Sequence, residues 1–365
     1  LGEHPCTNSW GYQQTGFYSP TSRYGTPEDL KEFIEYAHAN EIGVILDFVP
    51  VHFAVDAYGL ADYDGTPIYE YPSNDVGYNE WGSKNFNHSR GEVQSFLASC
   101  ARYWLKEFHF DGLRMDALSN IIYWQGASRR GVNRNAVEFI KHMNKSLKTM
   151  DLSIILIAED STTIGKVTTS PDYGGLGFDY KWDLGWMNDT LKYYSLDPIY
   201  KKWDHNKITF SMMYFFSENF MLPLSHDEVV HMKGTIINKM FGDYDYKFAL
   251  LRNLYAYQFG HPGKKLNFMG NELASFDEWN ENKSKLTFTI SQNMASETIR
   301  VALIGDIFDS FTHDTYNESI NKQTLTMVKQ IDFSNEYPRL SLKLGLNKTY
   351  IVKDIFIIYN KINFL

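Results

Sequence analysis

Four short segments of the chain carry acidic, arginine and histidine residues whose types and order could act on a sugar linkage. They are residues 47–52, 111–116, 157–160 and 225–228. An apolar run of the kind that forms a buried strand leads into each of them. Side chains at the carboxyl ends of neighbouring barrel strands share one cleft. The four segments together therefore predict a site where carboxyl groups from separate strands face each other.

Two of these carboxyls suit the cleavage of an acetal bond between sugars. A retaining enzyme places them roughly 5–5.5 Å apart, one acting as nucleophile and the other as acid and then base. We interpret Asp116 as the nucleophile, because alternation along its strand puts Arg114 on the same side. A guanidinium there would lower the pKa of Asp116. We interpret Glu159 as the acid/base, because the apolar run 154–158 before it would favour a retained proton.

Three further residues suit sugar hydroxyls. Asp227 would be a third carboxylate that grips hydroxyls and helps to distort the ring, and His52 and His226 would act as neutral hydrogen-bonding groups. Each segment alone has an ordinary structural explanation, such as a salt bridge at a barrel end or a cap. The neighbouring Asp160 and Glu228 are assigned to structure. The repetition of polar strand ends in one pattern is what favours catalysis.

The residues around the segments predict helices alternating with strands. Thr26, Pro27 and Asp29 predict a helix start, and an apolar stripe and a strand at 44–46 follow. Three more helix-then-strand units follow, with strands at 110–115, 154–158 and 266–269. Such alternation predicts an α/β protein with parallel strands. Active groups at the strand ends favour a TIM-type (β/α)8 barrel over an open sheet.

Other stretches predict loops and a change of character. Residues 58–87 are rich in Gly, Asp, Asn, Tyr and Pro and predict a long loop over the barrel mouth. Residues 174–186 predict another strand with a functional loop. From residue 284 the alternation stops and β-branched runs appear. We expect a catalytic barrel over 1–283 and a divergent tail of mainly β or mixed structure over 284–365.

Composition limits the class of protein. With 365 residues the chain can bury a substantial core. The net charge of -9 argues against a nucleic-acid or anionic-membrane partner. An aromatic content of 16% suits stacking on sugar rings, although an aromatic core would give the same figure. Cys6 and Cys100 lack metal-ligand spacing and are too few for a disulfide scaffold, so we expect a cytoplasmic location. The chain has neither a membrane-spanning apolar run nor a signal-peptide pattern at its start.

The four segments match, in order and spacing, the four signature regions of the α-amylase superfamily, glycoside hydrolase family 13. The flanking motifs resemble those of the bacterial 1,4-α-glucan (glycogen) branching enzymes. These motifs lie at residues 10–13, 21–29, 43–47, 180–187, 222–231 and 268–272. The resemblance covers roughly residues 1–283. Such enzymes carry a β-sandwich before the barrel, whereas this chain opens near the end of the second barrel strand. We therefore expect a fragment whose barrel lacks its first one to two strands.

The resemblance implies a glycosyltransferase that cleaves an α-1,4-glucan, holds the piece on Asp116 and passes it to a 6-hydroxyl. It implies Glu159 as acid/base and Asp227 as transition-state stabiliser. It places Tyr12, Asp47, His52, Arg114 and His226 at the subsite on the donor side of the cleaved bond. It implies no cofactor and no metal. The partner would be an α-glucan such as glycogen or amylose-like chains, with no nucleic acid and no membrane.

Two alternatives stay open on the sequence. One is a hydrolase of the same superfamily that cuts α-glucan bonds, which would release reducing sugar without new branch points. The other is an inactive glucan-binding fragment, which would bind glycogen without turnover. The presence of Asp116, Glu159 and Asp227 together counts against the second alternative, because binding alone does not need all three.

Overall fold

The computed structural model describes residues 2–230 and 232–278 with their side chains, and the backbone of six further strands between residues 284 and 357. The strands within residues 2–278 are β1 Gly2–Glu3, β2 Gly16–Pro20, β3 Ile45–Phe48, β4 His52–Phe53, β5 Lys84–Asn85, β6 Gly112–Met115, β7 Ile155–Ala158, β8 Tyr180–Trp182, β9 Phe220–Leu224 and β10 Lys264–Asn267. The helices of the same range are α1 Pro27–Ala39, α2 Asn74–Gly77, α3 Gly91–Glu107, α4 Leu118–Ile122, α5 Arg134–Met150, α6 Leu184–Ser195, α7 Pro198–Lys201, α8 Asn206–Thr209 and α9 Tyr244–Gly260. None of these helices is long and apolar enough to cross a bilayer.

Six of the strands form one parallel sheet in the order β10-β9-β8-β7-β6-β3. Each strand therefore pairs with the next sheet strand along the chain, and a helical crossover joins most of these neighbours. An open doubly wound sheet reverses its strand order at a switch point, whereas a barrel keeps adding strands in one direction. The sequential order confirms the predicted fold class, an incomplete (β/α)8 barrel.

The start and the buried face of helix α1 are determined by its local sequence. The Thr26 hydroxyl accepts from the Asp29 amide, and the Asp29 carboxylate accepts from the Thr26 amide, so both halves of a capping box are formed. Ile34 and Ala37 of the predicted apolar stripe are buried. Helices α3 and α5 bury comparable stripes against the sheet, and together with β3, β6 and β7 they build one large core cluster.

Strand boundaries differ from the sequence prediction at β10. The apolar residues predicted a strand over 266–269, but the ladder with β9 runs over Lys264–Asn267. Phe268 lies just beyond the strand, where its amide donates to the Leu224 carbonyl at 2.8 Å. The difference arises because pairing starts directly after the turn at Pro262 and Gly263, whatever the polarity of the side chains that follow.

The predicted long loop over residues 58–87 contains two short elements, α2 and β5. Strand β5 pairs with β4, which follows the barrel strand β3, so the far end of the loop is tied back to the barrel. Glu70 is fully buried, and its carboxylate accepts from the Asp62 amide at 2.9 Å and lies 3.7 Å from Lys84 Nζ. The contacts of the buried Glu70 carboxylate with Asp62 and Lys84 therefore hold the loop in place.

The described residues of the tail form six strands: β11 Ser284–Ser291, β12 Glu297–Asp306, β13 His313–Ile320, β14 Thr324–Ile331, β15 Tyr337–Lys343 and β16 Ile351–Ile357. They form two antiparallel sheets, in the orders β14-β11-β16 and β13-β12-β15. The predicted domain boundary after residue 283 falls in 279–283, outside the described residues, so the division into two domains stays a prediction.

Candidate active site

The register of three neighbouring strands brings the acidic residues to one end of the sheet. Asp47 of β3 lies directly opposite Arg114 of β6. Met115 of β6 lies opposite Ala158 of β7, so the residues that follow them, Asp116 and Glu159, are also neighbours. The Glu159 amide continues the ladder by donating to the Met115 carbonyl at 3.0 Å. Parallel pairing therefore places the two predicted catalytic carboxyls side by side.

Arg114 is the centre of the cluster and is only 4% exposed. Its Nη1 lies 3.0 Å from Asp116 Oδ1 and 3.3 Å from Asp47 Oδ1, and its Nη2 lies 2.7 Å from Glu159 Oε2. Burial opposes its charge, but the carboxylates of Asp47 and Glu159 raise the pKa of Arg114 well above its ordinary value. The guanidinium therefore stays charged and holds three acidic side chains in fixed positions.

The Asp116 and Glu159 carboxyls bind different amino nitrogens of the same guanidinium, so they lie close together. Burial raises the pKa of Asp116 well above its usual range. The neighbouring Glu159 and Asp47 add to this, and Arg114 opposes it without overcoming it. The sequence-based expectation of a lowered pKa at Asp116 is therefore wrong for the ligand-free site. One guanidinium shared among three acidic groups cannot offset the desolvation of this one.

The residue after Asp116 also shapes the site. Ala117 has a φ of 47°, in the left-handed region that costs a non-glycine residue roughly 1–2 kcal/mol. Its amide donates at 3.0 Å to Oε2 of Glu159, at the end of the neighbouring strand, and so gives Glu159 a second donor beside Arg114. Strained backbone at such a position is a frequent mark of a functional site.

Tyr12 links the acidic cluster to the two histidines. Its hydroxyl donates to Asp47 Oδ2 at 2.7 Å and accepts from Arg114 Nη1 at 3.1 Å. Its ring stacks on His226, with ring centres 5.6 Å apart and an interplanar angle of 11°. Its carbonyl oxygen lies 3.1 Å from His52 Nε2. Tyr12 therefore connects the start of the chain to residues in or directly after four strands, β3, β4, β6 and β9.

Both histidines are neutral at ordinary pH. Burial lowers the pKa of His52 to about 4 and also lowers that of His226. A neutral imidazole can donate or accept a hydrogen bond to a sugar hydroxyl without adding charge. Among the described residues, His52 Nδ1 is buried without a hydrogen-bond partner.

The third carboxylate, Asp227, lies at the edge of this network. Its Oδ1 is 3.4 Å from His226 Nε2, and 47% of its side chain is exposed. It belongs to a single helical turn, His226–Glu228, that follows β9. Direct contacts thus connect all eight residues predicted for the site. Asp227 is the one reached only through His226, and its exposure leaves it open to a ligand.

Asp160, which was assigned to structure from the sequence, forms a buried ion pair. Its carboxylate is fully buried and lies 2.9 Å from Lys181 Nζ, so it joins β7 to β8. The other residue assigned to structure, Glu228, is half-buried, and burial raises its pKa above the usual range.

Trp182 and Trp10 are among the aromatic residues that contact the site and were not predicted from the sequence. The guanidinium carbon of Arg114, on β6, lies 4.4 Å from the ring centre of Trp182, on β8, and makes a cation–π contact with it. Trp10 contacts His226 edge to face, with ring centres 5.9 Å apart. Both residues belong to motifs flanking the four segments, so proximity to those motifs was the signal available.

No group of three or more His, Cys, Asp or Glu side chains in residues 2–230 and 232–278 is arranged to hold a metal ion. The chemistry available to the cluster is that of two carboxyls bound to one guanidinium, which is a permanent cation, and of neutral hydrogen-bonding groups. Such a set can transfer a proton and stabilise a positive carbon.

Comparison with known proteins places this arrangement in a family. Residues 4–62 match the family model described as the alpha-amylase catalytic domain. The chain is 53% identical over 298 residues to a 1,4-alpha-glucan branching enzyme GlgB of Fusobacterium nucleatum subsp. nucleatum, a match that covers 82% of this chain and 48% of the relative. It is also 53% identical over 282 residues to a 1,4-alpha-glucan branching enzyme GlgB of Bacillus cereus, a match that covers 77% of this chain and 44% of the relative. The chain spans about half the length of these curated relatives.

A solved structure supports the fold. The alpha-amylase from Geobacillus thermoleovorans, complexed with acarbose, superimposes with a TM-score of 0.55 at 17% identity. The match covers 91% of this chain and 87% of the amylase. This chain belongs to the α-amylase family and is a relative of the bacterial 1,4-α-glucan branching enzymes.

Proposed function

We propose that the chain carries the catalytic centre of a retaining transglycosylase that cleaves α-1,4-glucan and forms α-1,6 branches. The proposal rests on one observation above all: one guanidinium, that of Arg114, binds both the Asp116 and the Glu159 carboxyls. An inverting enzyme needs carboxyls roughly 6.5–9.5 Å apart to admit a water molecule between them and the sugar. Two carboxyls held by a single guanidinium favour the retaining route.

In the first step Asp116 attacks the anomeric carbon of the donor glucan. The bond from that carbon to the leaving 4-oxygen breaks, a bond to an Asp116 carboxylate oxygen forms, and Glu159 delivers its proton to the leaving oxygen. Burial raises the pKa of Asp116, and Arg114 Nη1, 3.0 Å away, stabilises the charge that the attack requires. Glu159, bound to the other amino nitrogen of the same guanidinium, supplies the proton.

In the second step the 6-hydroxyl of another glucan chain attacks the glycosyl–Asp116 intermediate. Glu159, now ionised, takes the hydroxyl proton, an α-1,6 bond forms, and the Asp116 carboxylate is released. The overall change is the exchange of an α-1,4 for an α-1,6 bond. The choice of a sugar hydroxyl over water follows the relatives, which are named as branching enzymes.

The remaining residues would position the donor ring next to the cleaved bond. Tyr12, Asp47 and His226 form a connected wall in which carboxylate, hydroxyl and neutral imidazole groups can bind sugar hydroxyls. Asp227, half-exposed beside His226, would hold hydroxyls whose hydrogen bonds strengthen as the ring distorts. We propose α-glucan as the substrate and a cytoplasmic location. Cys6 and Cys100, both free thiols, fit a reducing compartment.

The test is to incubate the 365-residue chain with amylose and count α-1,6 linkages by proton NMR before and after debranching with isoamylase. We expect new α-1,6 linkages with little release of reducing ends, and none with Asp116→Asn. Reducing sugar without branches would instead assign a hydrolase. Binding of amylose without either product would assign a glucan-binding protein.

A further inference from the structure

Trp81 lies beside the candidate site, and no role has been assigned to it. Its ring centre is 5.4 Å from that of His52, at an interplanar angle of 47°. Although it borders a buried histidine, 48% of Trp81 is exposed. It belongs to the long loop between β4 and β5, whose end is tied to the barrel by strand pairing. The loop thus presents a large aromatic surface next to the site.

The backbone that carries Trp81 is fixed by hydrogen bonds. Asn79 Oδ1 accepts from the amides of Trp81 and Ser83, each at 3.0 Å. The Gly82 amide donates to the Asn79 carbonyl at 3.2 Å, and Gly82 has a φ of 75°, which glycine adopts readily. The buried Ser83 hydroxyl donates to Gln13 Oε1, next to Tyr12. The turn is therefore anchored to the site independently of the Trp81 ring.

Packing alone does not account for this arrangement. The aromatics that pack at the two ends of the loop, Phe53 of β4 and Phe86 directly after β5, are fully buried and contact each other with ring centres 4.7 Å apart. A ring needed only for the core would be buried with them. Exposed Tyr63 instead contacts Tyr69, at 6.2 Å, so exposure in this loop does not by itself mark the site. Trp81 combines exposure, a fixed backbone and contact with a predicted site residue.

We propose that Trp81 is a platform on which one glucose ring of the bound α-1,4-glucan stacks, next to the ring held by Tyr12 and His52. This inference rests on the proposed function, because the ligand class comes from there. One face of a pyranose presents C–H groups that pack against an aromatic ring, while its hydroxyls remain in water. A tryptophan held at half exposure matches that surface without needing to move. Donor chains too short to reach Trp81 would gain nothing from it.

The test measures binding of maltoheptaose, a linear α-1,4 heptasaccharide, by isothermal titration calorimetry. All proteins carry Asp116→Asn so that the sugar is not consumed. Trp81→Ala should raise the Kd roughly 10-fold, which corresponds to the loss of an aromatic contact worth about 1.4 kcal/mol. Trp81→Tyr should retain most of the affinity. The matched control is Trp203→Ala, because Trp203 is also exposed, at 67%, and stacks with Lys202 rather than with site residues.

Each outcome decides the question. A Kd for Trp81→Ala equal to that of the parent, in a protein with the parent's melting temperature, overturns the platform. If Trp81→Ala does not fold, Trp81→Leu and Trp81→Tyr are compared instead. If these two variants bind maltoheptaose with the same Kd, the platform is overturned as well. Failure of the parent to bind maltoheptaose overturns the glucan assignment and the platform with it. Weakened binding by Trp81→Ala supports the platform even if the unsubstituted chain forms no branches, which would count against the proposed reaction alone.

Discussion

Arg114 Nη2 donates to Glu159 Oε2 at 2.7 Å, and this contact determines where a proton on Glu159 can reside. The same oxygen accepts from the Ala117 amide at 3.0 Å. An oxygen that already faces two donors is a poor site for a third hydrogen. A proton held by Glu159 therefore belongs on Oε1. The two donors thereby orient the acid as well as binding it.

Glu159→Gln should fold normally and lose most of its turnover. The amide oxygen of glutamine can take the two hydrogen bonds that Oε2 accepts, so the network survives, but the side chain no longer delivers a proton. We expect kcat on amylose to fall roughly 100-fold or more. Because fluoride leaves without protonation, the formation of the glycosyl-enzyme from α-maltosyl fluoride should be largely retained. An equal loss of activity on amylose and on α-maltosyl fluoride would contradict the role of Glu159 as the acid.

Asp116→Asn should abolish turnover and also change how stability depends on pH. Burial raises the pKa of Asp116 in the folded protein, so the folded state binds its proton more tightly than the unfolded chain does. Its favourable contribution is full below the usual value of 3.8 and is lost as pH rises through the raised pKa. Asparagine at position 116 cannot ionise. The melting temperature of the variant should therefore rise relative to that of the parent as pH rises from 4 to 8.

Two results would contradict this account of Asp116. One is a melting-temperature difference that is constant with pH or that falls as pH rises. The other is residual turnover above roughly a thousandth of the parent's, because loss of a nucleophile typically costs more than that. Binding of maltoheptaose, measured in parallel, should survive the substitution.

Arg114→Ala should destabilise the protein strongly. The side chain is 4% exposed and contacts Asp47, Asp116 and Glu159, so its removal leaves acidic groups without their cation. Breaking such a buried network costs about 3 kcal/mol. Arg130→Ala is the matched control, because Arg130 pairs with Asp75 at the surface and such pairs contribute about 1 kcal/mol or less. Urea unfolding of the two variants should differ accordingly, and equal losses would contradict the central role of Arg114.

Features set by short-range periodicity could be predicted from the sequence. The capping box at Thr26 and Asp29 depends on a spacing of three residues, and the shared side of Arg114 and Asp116 depends on a strand period of two. The barrel class followed from repeating such local units. These predictions needed no knowledge of distant contacts.

Features set by distant contacts could not be predicted in the same way. The position of Trp81 depends on the bond between Ser83 and Gln13, which are 70 residues apart. The packing of Trp182 on Arg114 depends on how the strands close on one another. The predicted direction of the pKa shift at Asp116 was wrong. The sequence indicated a nearby cation, Arg114, but it indicated neither how deeply Asp116 is buried nor that other carboxylates bind the same cation.

Acid should destabilise the protein through two buried histidines. Burial lowers the pKa of both His52 and His88 from 6.5 to about 4. Between these values the unfolded chain binds protons that the folded protein does not, so stability falls as pH drops from about 6.5 to about 4. Each histidine contributes on the order of 3 kcal/mol to this loss. His88→Gln keeps an N–H that can donate to the Pro50 carbonyl, the bond His88 makes at 2.9 Å, and removes one titration.

The measurement is the free energy of urea unfolding at pH 7 and at pH 4.5, for the parent and for each variant. His88→Gln should show a clearly smaller loss between the two pH values, since one of the two buried imidazoles no longer titrates. His142→Gln, at an exposed position of α5, should show the parent's full loss. If His88→Gln lost as much stability on acidification as His142→Gln, protonation of the buried imidazole could not be what limits stability in acid. The comparison of variants isolates the histidine, because the carboxylates that also titrate in this range are common to all three proteins.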